Sequence, residues 1–99
     1  MDLSVRSDYL AQQFAESIRE FEQGAFSSRG LALKAEKLTT VDELQTLDNE
    51  LLSHAYWVMR HLVHQPACWA PTLDELKYVY RCLIGEESFS QEVAEGHRL

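Results

Sequence analysis

The side chains best suited to chemistry are three histidines and a thiol: His54, His61, His64 and then Cys68. Imidazoles and thiolates are borderline ligands that suit zinc. On a helix, His61 and His64 share a face, whereas His54 lies two turns away, about 10 Å along the axis. One ion therefore cannot take all three from a straight helix. A site at His61, His64 and Cys68 needs a fourth ligand from elsewhere in the fold or from a second subunit. A metal- or small-ligand-binding bundle of that kind is the alternative functional reading. The leading reading assigns no metal and no cofactor.

Nucleophilic catalysis has less support. Ser53 and His54 are adjacent, so their side chains diverge on a helix, and no serine stands in a GxSxG elbow. Cys82, beside Arg81, needs the fold to bring it a histidine. Asp42, Glu43, Asp74 and Glu75 all fall at expected helix starts, where the helix dipole accounts for them. Arg29, Lys34 and Lys37 make one basic patch in segment 25–39. Without a Gly-rich phosphate loop it reads as a solvated connector. No enzyme is expected.

Three helices must position these residues. In 7–23, Leu10, Phe14, Ile18 and Phe21 recur at helical spacing, with Gly24 placed to close the run. In 40–64, Thr40 and Glu43 form a capping box, and apolar residues from Val41 to Val63 gather on one side. Pro66 disfavours helical geometry at Gln65 and ends that run. In 72–84, Thr72 and Glu75 repeat the box, Leu73, Leu76, Val79, Tyr80, Leu83 and Ile84 cluster, and Gly85 can close the helix. The pentapeptide TVDEL at 40–44 thus recurs as TLDEL at 72–76, as two helices opened by one kind of cap would do. Residues 31–38 suggest a helix of about two turns. The acidic stretch 86–99, anchored only by Phe89, Val93 and Leu99, reads as a weakly docked tail in which Ser88 or Ser90 can start a short helix.

The 99 residues fit one domain, 1–99, with 45% hydrophobic and 25% charged residues, an ordinary globular balance. Four Gly and two Pro leave little punctuation for many short strands. The expected fold is all-α: a small antiparallel helical bundle with one long central helix, 40–64. A net charge of −7 speaks against phosphate-backbone binding and favours a basic protein partner. Residues 72–84 also make a poor DNA-recognition helix, carrying Lys77 and Arg81 against Asp74 and Glu75. The N-terminal stretch has no signal-peptide core, and no run approaches the roughly 20 apolar residues of a membrane span. A cytoplasmic setting and reduced cysteines follow, although the spacing leaves a Cys68–Cys82 bridge open.

The opposite face of the long helix carries the functional expectation. His54, Trp57, Arg60, His61 and His64 fall on the side that should meet water, and Tyr78 projects away from its own apolar cluster. Aromatics without an internal partner are the usual anchors of protein interfaces. With Trp69 and Phe26 they nominate a partner-binding surface: Trp57, Tyr78, His54, His61, Trp69 and Phe26. The reading is a non-enzymatic small acidic regulator or adaptor, of antiactivator or immunity-inhibitor type, that masks another protein through a helix face. A homodimer is also expected, because the long helix should overhang its bundle and a second copy is the simplest cover. Asp48 lies awkwardly in the leucine-rich sector. It either marks that overhang or pairs with a cation across a subunit boundary.

Overall fold

The computed structural model describes residues 2–98. It is an all-helical bundle, with α1 Leu3–Glu22, α2 Ser28–Leu38, α3 Val41–Leu47, α4 Glu50–His61, α5 Leu73–Leu83 and α6 Gln91–Gly96. A 3-10 turn, Leu62–His64, extends α4. Side-chain caps set most of the starts. Asp2 accepts from the Ser4 amide, Ser27 from Gly30, Thr40 from Glu43, Asn49 from Leu52, Thr72 from Glu75 and Ser90 from Val93, each satisfying an amide that the helix itself leaves unpaired. Gly24 and Gly85 hold φ of 86° and 85°, the left-handed closing conformation expected of them. Ser27 caps α2 early enough to give it eleven residues, so 25–39 is more ordered than its composition suggests.

One main core unites five helices, with α3 joining through the buried Leu44. Leu10, Phe14 and Ile18 of α1 meet Leu31 and Ala35 of α2, Leu52, Ala55, Val58 and Met59 of α4, and Leu76 and Val79 of α5. Arg60 pairs with Glu36 across the α4–α2 boundary at 3.2 Å. A smaller second core of Tyr78, Cys82 and Ala94, flanked by Leu51 and Phe89, lies apart from the first. Helix α5 serves both, through different faces.

The expected long helix 40–64 is broken. Asp48 has φ 51° and ψ 47° and closes α3, and Asn49 then caps α4. The apolar spacing runs across the break because α3 turns back, so that Val41 and Leu44 share a cleft with Tyr56, Trp57 and Arg60 of α4. Asp48 is thereby exposed at a corner rather than trapped among leucines. The overhang that called for a second subunit is gone with it.

This corner predicts an unusual order of stabilities. Asp48→Gly relieves a left-handed residue and should match or exceed the parent in urea unfolding. Asp48→Val should lose about 1–2 kcal/mol. An unbroken helix reverses that order, because Gly is about 1 kcal/mol worse than Ala in a helix interior and Val is not.

Candidate binding site

The site is built around Glu75. Thr72 caps α5 through the Glu75 amide, at 3.1 Å, but the carboxylate does not complete the reciprocal half of the capping box. It turns inward, fully buried. His54 Nε2 lies 2.7 Å from Glu75 Oε2. Arg98 grips the same group as a fork, with Nε donating to Oε1 at 2.8 Å and Nη2 donating to Oε2 at 3.1 Å. Burial alone pushes the Glu75 carboxyl up; the hydrogen bonds from His54 and Arg98 outweigh it and hold the group below the ordinary carboxylate value. An ionised carboxylate only accepts, so Nε2 is the protonated nitrogen of the His54–Glu75 contact.

Arg98 belongs to a strap, residues 86–98, that crosses α5 and α4. The Tyr78 hydroxyl donates to the Ser88 carbonyl at 3.0 Å and accepts from the Ser90 amide at 2.9 Å. Thr72 Oγ1 donates to the His97 carbonyl at 2.7 Å, and the His97 ring lies 5.1 Å from that of Tyr78. Phe89 covers His54 at 5.3 Å between ring centroids, and the Arg98 guanidinium sits 4.6 Å above the Trp57 ring, within cation–π range. Beneath the strap, burial raises the pKa of the Cys82 thiol and keeps it in its unreactive form.

From Trp57 outward the rings continue as a ladder. Trp57 and His61 are 5.3 Å apart, His61 and His64 5.4 Å, and Trp69 closes a triangle with both at 5.8 and 5.2 Å. Trp69 is 50% exposed. Its loop is held by Gln65, whose side-chain amide donates to the Pro71 carbonyl. His61 Nδ1 is buried with no hydrogen-bond partner. Burial, with Arg60 and His64 nearby, lowers the His61 pKa and favours the neutral imidazole.

The expected surface is therefore divided. Trp57, His61 and Trp69 do come together. His54, expected on the wet side, is buried against Glu75, and Tyr78 is buried under the strap instead of projecting free. Phe26 leans on the main core, where its Cβ would lie 2.9 Å from a side-chain carbon added at Gly30. It takes no part in the ladder. Leu99, expected as a tail anchor, lies outside the described residues. Glu75, Phe89, His97 and Arg98 were not legible as site residues. One signal was present: Glu75, Tyr78 and Cys82 recur at i, i+3 and i+7, a second stripe on α5 that needs a cover. Trp69 packs against the two histidines of the zinc alternative, and among the described residues no group of three or more His, Cys, Asp or Glu is set to hold a metal ion. Cys68 and Cys82 are free thiols, exposed and buried respectively. No helix among the described residues is long and apolar enough to cross a membrane.

Comparison of the chain with protein-family models, curated proteins and solved structures finds no match.

The clamp predicts an acid-sensitive strap. Because the folded Glu75 pKa lies below its unfolded value, the stabilisation is fully present above about pH 4.3 and is lost as pH falls through the folded value. In hydrogen–deuterium exchange at descending pH, amides of 88–98 should lose protection before those of α1, α2 and α4. Simultaneous loss in all of them contradicts an independent clamp.

Proposed function

We propose that this protein is a non-enzymatic binding module, a small acidic regulator or adaptor, and that its partner protein docks on the ring ladder Trp57–His61–His64–Trp69. The observation that carries this reading is the ladder itself. Four rings in series run from the strap to a half-exposed tryptophan on a braced loop. Tryptophan supplies large contact area at small entropic cost, which is why it dominates interface energetics. A neutral His61 adds little desolvation penalty when the ladder is covered. The net charge of −7 steers a basic partner toward the module and sets association rate more than affinity.

The chemically capable groups support binding rather than turnover. His54, Glu75 and Arg98 satisfy one another, Phe89 shields His54, and the Cys82 thiol is buried. A general base needs reach to a substrate proton, and His54 spends its Nε2 on Glu75.

A photo-crosslinking residue at position 69 should capture one dominant protein from extract of the native cell, while the same residue at position 33 or 12 should not. Trp69→Ala should then weaken binding of that purified partner about 30-fold or more while costing no more than about 1–2 kcal/mol in unfolding, the loss of its packing on His61 and His64. Equal capture from all three positions rules out the ladder as the docking face.

A further inference from the structure

The pocket at the inner end of the ladder already holds a ligand, and that ligand is a guanidinium. Its floor is Trp57 and its back wall the buried Glu75 carboxylate braced by His54. Arg98 enters with both features that arginine recognition uses: a two-point fork on the carboxylate and a cation over an aromatic face. An ammonium cannot reproduce the fork.

The cover that delivers this arginine is separable from the fold. All main-core residues lie between Leu10 and Leu83. The strap contributes only Ala94 and Phe89 to the second core, and its other ties are mainly polar: two bonds at the Tyr78 hydroxyl, one at Thr72, the Arg81–Glu87 pair and the Arg98 fork, with the His97 ring against Tyr78. Segments secured by few apolar contacts open at lower free energy than the core. When the strap lifts, no buried residue of the main core leaves with it. The pocket, however, is left with a buried anion facing an open side.

We propose that the Glu75–Trp57 pocket is a receptor for an arginine side chain carried by a basic segment of another protein, and that Arg98 occupies it in cis until that segment displaces the strap. The inference rests on the binding-module reading and names the chemistry of its partner. A segment lying along the ladder would meet Trp69 at one end and place its arginine over Trp57 at the other. The acidity of the chain favours such a segment at encounter, and Glu75 gives it a specific seat.

The test uses the full chain with Cys68→Ser, leaving Cys82 as the only thiol, and times its modification by a disulfide reagent. Arg98→Ala should speed the reaction about 10-fold or more, the loss expected for a charge-assisted fork. A synthetic peptide of residues 88–98 added to this variant should restore protection to within about threefold of the parent. The same peptide with citrulline in place of Arg98 should restore little. Arg98→Lys, which keeps the charge, serves if Arg98→Ala does not fold. It too should expose Cys82 and be protected by the arginine peptide alone. Equal protection by the citrulline peptide overturns the proposal, as does an unchanged Cys82 rate in both variants. A parent protein whose Cys82 protection rises with dimer population in sedimentation also overturns it, because a second copy's strap is then the occupant. Loss of crosslinking at position 69 with these results intact removes the ladder and leaves the arginine seat standing.

Discussion

A carboxylate with no exposed surface sits in an environment where an unpaired charge is costly, and removing one partner from such a buried pair typically costs about 3–5 kcal/mol. Glu75 imposes that condition on this fold. Its two oxygens take His54 from α4 and Arg98 from the strap, so α5 cannot slide along α4 or lose its cover without stranding charge. The interaction need not add much net stability over a hydrophobic substitute. Its effect is to fix which residues oppose one another. The height of His54 sets where Phe89 lies, the reach of Arg98 sets what covers Trp57, and the ladder begins from there.

The same logic occurs twice, at different depths. Glu43, the counterpart of Glu75 in the TVDEL–TLDEL pair, also declines the reciprocal half of its capping box. It takes the Nε and Nη2 of Arg6, both at 2.9 Å, and the hydroxyl of Thr39, while Arg6 also donates to the Leu38 carbonyl at 3.0 Å. That cluster joins the starts of α1 and α3 to the end of α2. About a third of the Glu43 side chain is exposed, so solvent screens the pair and its contribution is small. Its counterpart gains its influence from burial alone.

Helix identity and caps were legible because each has a local cause. Ser, Thr and Gly mark boundaries that the chain honours at Thr40, Thr72, Gly24 and Gly85. The break at Asp48 was hidden because apolar spacing does not distinguish a continuous helix from two segments folded along one core. Leu44, Leu47, Leu51 and Leu52 satisfy both arrangements, and the local hints were Asp48, out of place among the leucines, and the Asn49 cap. Tyr78 and His54 were misplaced for a related reason. Their cover comes from the strap, through long-range pairing that no helical period encodes. Glu75 was obscured by its own motif, since a glutamate three residues after a threonine already has a complete local explanation.

Gly85 closes the last helix on which the main core relies, and residues 86–98 beyond it are held mainly by polar ties at Tyr78, Thr72, Arg81 and Glu75, with Phe89 and Ala94 as their apolar anchors. A cover fixed at a few points is interchangeable in a way that a packed helix is not. Its intervening residues can drift in sequence, so long as those points arrive at the right heights. Variation should therefore accumulate freely at Gln91, Glu92 and Glu95, on the outer side of the strap, while the bundle beneath keeps its geometry.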